Sequence, residues 1–244
     1  MVDTKQPVVV ITGAAKRIGK AIAEQFHQAQ YHVIVHYHQS EAAAANLVQR
    51  FNEQRPDSAS LVAGDLSSTA TYQRIADHIA QQFGRLDVLI NNASNFYPTQ
   101  FGDCSADHFN DLMAINAQAP LLLSQQLTPL LSESNGVIIN LVDIHADKPY
   151  RDHATYCMAK AALKSLTKSL ALELAPNIRV NGVSPGAILW PEQMSPAEQQ
   201  NRLAQLPLQQ HGCPKDVADA VFFLASARYI TGQIVAVDGG ASLV

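Results

Sequence analysis

Short apolar runs alternate along this chain with amphipathic stretches of helical period. The strand-like runs are residues 8–11, 32–37, 61–63, 86–90, 137–141, 178–183 and 234–237, and the helix-like stretches are 18–30, 41–51, 69–83 and 156–174. Continuous apolar strands separated by helices predict βαβ units and a parallel sheet that is covered on both faces. Because the crossovers are right-handed, such a sheet is doubly wound, and it binds ligands at the carboxyl ends of its strands.

The sequence indicates a single domain. It has 244 residues, and we find no internal repeat, low-complexity tract or Pro/Gly linker that would divide it. We therefore predict an α/β fold, a single doubly wound Rossmann-type domain over residues 1–244. The least patterned stretch is Ala187–Cys213, which is rich in Gln and Pro. Its length favours a substrate lid over a domain boundary.

Charge and hydropathy exclude several classes of protein. The net charge is −4 and no run of Lys or Arg is present, which argues against a nucleic-acid partner. No apolar stretch reaches the ~18 residues of a membrane span, and the polar segment Met1–Pro7 lacks the features of a signal peptide. Cys104, Cys157 and Cys213 are too scattered for a disulfide framework or a zinc site. We expect a protein of a reducing compartment, the cytoplasm.

The first strand ends in the sequence Thr12-Gly-Ala-Ala-Lys-Arg-Ile-Gly19. Small residues at a strand-to-helix turn let backbone N–H groups approach a pyrophosphate, which the helix dipole also favours. The G-x-G-x-x-G fingerprint is absent. A phosphate-loop NTPase is excluded because five residues separate Gly13 from Gly19 and Ala21 replaces the Mg²⁺-binding Ser or Thr. An ordinary tight turn remains the alternative.

The second strand ends without an acidic residue before Glu41, whose helix has Ser40 placed as its N-cap. An NAD site uses an acid here to hold the ribose hydroxyls, and that acid would repel a 2′-phosphate. Its absence permits NADPH, for which donors are available from Lys16, Arg17, His38 and Ser40. His36 and His38 alternate along the strand, and as a metal pair they lack a third ligand.

Tyr156 and Lys160 are four residues apart near the start of a predicted helix, so their side chains share a face. An ammonium near a phenol lowers the phenol pKa from ~10 towards neutrality. A group with such a pKa is suited to giving a proton near pH 7.

The cofactor turn, Asn91-Asn92-Ala93 and the Tyr-x₃-Lys pair occur in one order. In this combination the chain resembles the short-chain dehydrogenases/reductases over nearly its whole length. Most members have Gly where this chain has Arg17, and the pteridine reductase branch has Arg. Two positions differ from the expected pattern: Gln39 replaces a basic residue common in that branch, and Ser94 replaces the Gly of Asn-Asn-Ala-Gly.

The resemblance implies roles for further residues. Asp65 would contact the adenine, although a helix-leading cap explains it equally well. Asn116 would support a proton relay through water and Lys160. The turn at Pro185-Gly186 would lie beside the nicotinamide, and Asp238-Gly239-Gly240 matches a C-terminal signature. The cofactor-binding residues implied are Gly13, Lys16, Arg17, Ile18, Gly19, His38, Ser40, Asp65, Leu66, Asn92, Ala93, Tyr156, Lys160, Pro185, Gly186 and Ile188.

Ketone-reducing members carry a Ser thirteen residues before the Tyr, and this chain has Asp143 there. A carboxylate would oppose a developing alkoxide because it only accepts hydrogen bonds when ionised. It could instead serve a nitrogen heterocycle, whose N–H groups need acceptors. Pteridine reductases have Asp at this position. The alternative is a capping or salt-bridged Asp.

Ser94, Phe96, Arg17 and Trp190 complete the predicted substrate site, together with Asp143 and Tyr156. By resemblance Phe96 stacks a flat pterin against the nicotinamide and Ser94 bonds the pterin edge. Loop packing is the alternative for Phe96. Arg17 could reach a pterin oxygen or a cofactor phosphate, and Trp190 could wall the pocket or pack in the core.

We expect an NADPH-dependent reductase of pterins or dihydropterins, with no metal, in which Asp143, Tyr156, Lys160 and Asn116 are catalytic. The apolar faces of the helix after Tyr156, with the resemblance, imply a homotetramer. A carbonyl reductase of ketoacyl or sugar substrates and a non-catalytic NADPH-binding regulator are the alternatives. The choice among biopterin, monapterin and dihydrofolate stays open, and His145, His153 and Cys157 receive no role.

Overall fold

The computed structural model describes residues 6–190 and 194–244, which contain a seven-stranded parallel sheet. The strands run in the order β3-β2-β1-β4-β5-β6-β7. They are β1 (Val8–Ile11), β2 (His32–Tyr37), β3 (Ala59–Ala63), β4 (Val88–Asn91), β5 (Val137–Leu141), β6 (Arg179–Pro185) and β7 (Ile234–Val237). The predicted Rossmann-type α/β fold is confirmed.

Eight helices are described. They are α1 (Arg17–Gln28), α2 (Glu41–Gln54), α3 (Thr69–Gln82), α4 (Ala106–Met113), α5 (Ala119–Ser132), α6 (Ala154–Glu173), α7 (Pro196–Gln205) and α8 (Pro214–Ser226). A π-helical turn, Ala114–Gln118, joins α4 to α5. The four predicted helices correspond to α1, α2, α3 and α6, and the sequence analysis predicted none of the other four.

Hydrophobic cores lie on both faces of the sheet. One packs α1, α2 and α8 on the sheet through residues such as Phe26, Phe51 and Val221. The other packs α3, α5 and α6 on the opposite face, with Ile75 and Leu127 among its buried residues. Because both faces are covered, strands such as β1 and β5 are buried at every position. This explains their uninterrupted apolar sequences.

Segment 187–213 is not the irregular loop that the sequence suggested, since it contains α7. Ser195 caps that helix by accepting from the Glu198 N–H, and the Glu198 carboxylate accepts from the Ser195 N–H in return. This reciprocal capping box is a sequence signal that could have predicted the start of α7. Ser40 lies at the N-cap of α2 as expected, but its side chain makes no capping hydrogen bond.

The strand order reverses between β1 and β4, which are neighbours in the sheet. At such a point the connections leave to opposite sides, and a crevice opens at the carboxyl ends of the strands. Among the described helices, none has the length and hydropathy needed to cross a membrane. The described residues also contain no cluster of His, Cys, Asp and Glu able to hold a metal ion.

Candidate active site

The turn after β1 is built around two glycines in close contact. Gly13 has φ +62°, in the left-handed region that glycine adopts without strain. A Cβ on Gly19 would lie 2.4 Å from the Gly13 carbonyl oxygen and 2.6 Å from Asn92 Nδ2. The two glycines therefore let the turn pack closely at the start of α1, and the N-terminus of a helix is where a pyrophosphate can be bound.

Side chains from both neighbouring strand ends hold this turn. Asn92 Nδ2 donates to the Thr12 and Gly13 carbonyl oxygens at 2.8 and 3.1 Å. Thr12 Oγ1 accepts from the backbone N–H groups of Asn92 and Ala93 at 2.9 and 3.0 Å. The half-buried Asn92 and Ala93 are therefore fixed against the glycine turn.

His36 belongs to the same support, a role that the sequence analysis missed. Its Nδ1 accepts from the Gly13 N–H at 3.3 Å, and its Nε2 donates to the Gly64 carbonyl at 3.1 Å. Burial lowers the pKa of His36 to about 4. The ring is therefore neutral at pH 7 and bridges the ends of β1 and β3.

The residues predicted to bind phosphate lie at the ends of β1 and β2. Lys16, Arg17 and His38 are exposed, and Ser40 is half-buried. Arg17 has φ +53°, a conformation that costs an ordinary side chain about 1–2 kcal/mol. An exposed guanidinium kept in a strained conformation at the start of a helix fits a role toward a ligand better than a role in stability.

Asp65 and Leu66 follow the end of β3. Asp65 Oδ1 accepts from the Ser67 N–H at 2.9 Å, and this bond lowers the pKa of the carboxyl. The N-cap of α3 is Ser68, so Asp65 closes a turn before the helix and does not cap it. Leu66 is buried beneath that turn.

The Pro185-Gly186 turn lies next to the C-terminal signature. A Cβ on Gly186 would lie 2.6 Å from Asp238 Cβ, so only glycine fits there. The Asp238 carboxylate accepts from the N–H groups of Gly240 and Ser242 at 3.0 and 2.8 Å. Ile188 is buried in the core. Asp238 of the signature therefore packs directly against Gly186 of the turn.

Tyr156, Asp143 and Lys160 lie together where β5 ends and α6 begins, with Tyr156 and Lys160 buried and Asp143 half-buried. Tyr156 Oη donates to Asp143 Oδ2 at 2.7 Å, while Asp143 Oδ1 accepts from the His145 N–H at 2.8 Å. Lys160 Nζ donates to the Leu141 carbonyl at 2.8 Å and lies 5.7 Å from the centre of the Tyr156 ring. The structure thus brings Tyr156 and Lys160, proposed from their spacing, together with Asp143, which the resemblance had proposed.

The expected lowering of the Tyr156 pKa is wrong for this structure. Burial and the neighbouring Asp143 carboxylate raise the pKa of Tyr156 above its usual value. Burial lowers the pKa of Lys160 to about 8, against the opposing effect of Asp143. Tyr156 is therefore a neutral phenol that donates to a carboxylate, not a phenolate held by an ammonium.

Asn116 lies in the π-helical turn and is fully buried. Its Nδ2 donates to the carbonyl oxygens of Leu112 and Asn95, both at 2.9 Å. Its Oδ1 accepts from Ser94 Oγ at 2.6 Å. π-Turns of this kind often occur at functional sites. Here the turn aims Asn116 at the loop that carries Ser94 and Phe96, and Asn116 makes no direct hydrogen bond to Lys160.

Phe96 is exposed over 54% of its surface, next to the buried Tyr156. The two rings meet edge to face, with centroids 4.8 Å apart. On its other side Phe96 stacks on His153, with centroids 4.6 Å apart. The ring is therefore only partly packed by the loop and keeps an open surface beside the reacting group.

Trp190 packs within segment 187–213, and helix α7 of that segment contacts Tyr150. The Trp190 ring stacks on His211, with centroids 4.5 Å apart, so both partners belong to that segment. Arg202 of α7 donates to the Tyr150 hydroxyl at 3.2 Å. Tyr150 in turn lies 4.7 Å from His153, so α7 reaches the ring cluster beside Phe96.

Comparison with known proteins agrees with this geometry. The family model described as Enoyl-(Acyl carrier protein) reductase matches residues 13–242. The chain is 40% identical to Pteridine reductase 1 of Leishmania tarentolae, over 97% of this chain and 96% of that protein.

Other relatives carry different names. The chain is 34% identical to 3-oxoacyl-(acyl-carrier-protein) reductase FabG of Staphylococcus aureus (strain Mu50), over 95% of this chain and 96% of that protein. It is 30% identical to Glucose 1-dehydrogenase 2 of Bacillus subtilis, over 99% and 96% of the two chains. With its parallel sheet, its glycine turn and its Tyr156–Lys160 pair, the chain is an oxidoreductase that belongs to the short-chain dehydrogenase/reductase family.

Proposed function

We propose that this protein is an NADPH-dependent pteridine reductase that reduces a C=N bond of a pterin or dihydropterin and forms a tetrahydropterin. One observation carries the proposal: the Asp143 carboxylate accepts the Tyr156 hydroxyl at 2.7 Å, directly beside the exposed ring of Phe96. The identity with the Leishmania pteridine reductase supports it.

Asp143 selects against a ketone as substrate. An ionised carboxylate only accepts hydrogen bonds, so at this position it would oppose the negative oxygen that ketone reduction develops. Its oxygens already receive the Tyr156 hydroxyl and the His145 N–H, and each oxygen keeps a further lone pair. A flat heterocycle with N–H donors along one edge fits such an acceptor.

Tyr156 would deliver the proton. Its raised pKa keeps the hydrogen on the phenol at neutral pH and makes the phenol a weak acid. The strongly basic nitrogen that hydride transfer to a C=N bond leaves can still take this hydrogen. Lys160, with a pKa of about 8, is largely an ammonium at pH 7 and offsets the negative charge of the half-buried Asp143. A bound NADPH supplies the hydride, and hydride and proton together convert C=N to CH–NH.

Phe96 would provide the stacking surface. Planar heteroaromatic rings favour offset stacking on aromatic side chains, and Phe96 presents its open surface next to Tyr156. Ser94, exposed on the same loop, would bond the substrate edge, with Arg17 as a further donor. Trp190 would wall the pocket from segment 187–213, which we propose acts as the substrate lid.

The donor set supports NADPH as the cofactor. No carboxylate follows β2 before Glu41, and the exposed Lys16, Arg17 and His38 can meet a 2′-phosphate. NADPH should bind more tightly than NADH in a fluorescence titration, and equal affinities would refute this choice.

We also propose a homotetramer. Large apolar side chains are exposed on α4, α5 and α6, namely Phe109, Leu121, Met158 and Leu172. An exposed apolar surface spread over neighbouring helices is typical of a subunit interface.

The deciding experiment is a substrate panel with NADPH oxidation as the readout. Dihydropterins should be turned over, and acetoacetyl thioesters and sugars should not. Efficient reduction of the thioester alone would favour the carbonyl reductase alternative. Cofactor binding with no turnover of any compound would favour a regulator.

Two variants refine the panel. Phe96→Ala should weaken substrate binding by about 1–3 kcal/mol, the value of one buried aromatic side chain, without changing NADPH affinity. The matched control is Phe101→Ala, which removes a fully exposed ring from the same connection. Asp143→Ser should lower pterin turnover and test proton delivery separately from stacking.

A further inference from the structure

Phe96 is anchored on both sides along the chain by one carboxylate. Asp111 of α4 accepts from Asn95 Nδ2 at 3.0 Å and from the Tyr97 hydroxyl at 2.7 Å. The residues before and after Phe96 are thus tied to the same helix. The backbone position of Phe96 is fixed, and the orientation of its ring depends on what the ring packs against.

His153 is the residue that covers one face of Phe96. The two rings are nearly parallel, at 16°, with centroids 4.6 Å apart. Only 8% of His153 is exposed, whereas Phe96 is mostly open. A parallel bridge also pairs Thr99 with His153, so the loop after Phe96 runs alongside the start of α6.

The plane of His153 is itself fixed. Its Nδ1 lies 2.8 Å from the Arg151 carbonyl oxygen, which can only accept, so Nδ1 carries the hydrogen. The Tyr150 ring also packs on His153, with centroids 4.7 Å apart and ring planes at 41°, and His145 stacks on Tyr150 with centroids 4.7 Å apart. Phe96 therefore forms the exposed end of a four-ring stack whose inner members are held in place.

We propose that His153 is a positioning residue that sets the plane of Phe96 and thereby the affinity for a flat heteroaromatic substrate. The inference rests on the proposed function, since it concerns the ring that would stack the pterin. His153 contacts neither the reacting atoms nor Asp143 or Lys160 by any hydrogen bond of the described residues. It acts through Phe96 alone, because stacking depends on the relative planes of the rings.

The test is a double-mutant cycle between His153 and Phe96. His153→Ala should raise the KM for the dihydropterin about tenfold, comparable to losing one well-oriented aromatic contact, while kcat changes less. In a Phe96→Ala background the same substitution should have no further effect. His153→Phe, which keeps a flat ring, should restore the KM, and NADPH affinity should stay unchanged throughout.

Additive effects of the two substitutions would overturn the proposal, as would a wild-type KM in His153→Ala. If His153→Ala fails to fold, His153→Leu replaces it: leucine fills the volume of the imidazole but has no flat ring to stack on Phe96, so it should still raise the KM. His78→Asn serves as the control, since it removes an imidazole from α3, away from this ring stack. Failure of the proposed function would look different: the unmutated protein would then reduce no pterin at all.

Discussion

Gly19→Ala is the most direct test of how the cofactor turn is built. The added Cβ would lie 2.4 Å from the Gly13 carbonyl oxygen, 2.6 Å from Asn92 Nδ2 and 3.0 Å from Ala14 Cα. Two of these atoms are backbone, and the third is held by two carbonyl oxygens. No flexible side chain is available to move aside, so the turn itself must shift.

The size of the effect follows from these contacts. Overpacking of this kind costs about 1–3 kcal/mol, and loss of the Asn92–Gly13 hydrogen bond adds about 1 kcal/mol. Alanine within a helix returns about 1 kcal/mol over glycine. We therefore expect the free energy of unfolding to fall by about 1–3 kcal/mol and NADPH binding to weaken tenfold or more, since ~1.4 kcal/mol corresponds to a factor of ten.

Thermal unfolding and NADPH fluorescence titration measure the two quantities. Gly84→Ala is the control, because Gly84 has φ +69° but no atom within 4 Å of its added Cβ. It should lower stability by about 1–2 kcal/mol through backbone strain and leave NADPH affinity unchanged. If Gly19→Ala is as stable as the unmutated protein and binds NADPH equally well, the close packing of this turn does not control the cofactor site.

Four further outcomes are expected. Tyr156→Phe should lower kcat at least about 100-fold with unchanged NADPH affinity. The kcat of the unmutated enzyme should decline as the pH rises through about 8, because Lys160 then loses its proton. Folding lowers the pKa values of His32 and His36 to about 4. As the pH falls, the unfolded chain therefore takes up protons before the folded one does. The free energy of unfolding measured in urea should accordingly decrease as the pH is lowered from 6.5 to about 4. Light scattering should give four times the 26.4 kDa subunit mass, and a monomer at micromolar concentration would contradict the proposed assembly.

The fold was predictable wherever burial makes the sequence uniform. Strands β1 and β5 were predicted with the bounds that the structure shows, because every residue in them is buried. Helix α7 was missed because none of its residues is buried and it has no apolar face to detect. Helix α5 was missed for the opposite reason, since its apolar residues and internal Pro129 hide the helical period.

The site was predictable in composition but not in electrostatics. Spacing along one helix correctly placed Lys160 near Tyr156. Burial raises the Tyr156 pKa most, and the charge that raises it further comes from Asp143, thirteen residues away, through a 2.7 Å contact between two elements. The supporting roles of His36 and His153 were missed for the same reason, because each depends on partners distant in sequence.

The left-handed arginine at position 17 has a consequence for protein engineering. Glycine would adopt φ +53° without strain, which favours the folded state of Arg17→Gly. Glycine also has greater freedom in the unfolded chain, which offsets part of this gain. Arg17→Gly should therefore be neutral or stabilise the protein by up to about 1 kcal/mol. A library selected for heat resistance alone would therefore drift toward glycine at this position. The selected variants would be more stable to heat but would lack the Arg17 guanidinium beside the cofactor crevice. Selection of this chain for robustness should accordingly include turnover in the screen.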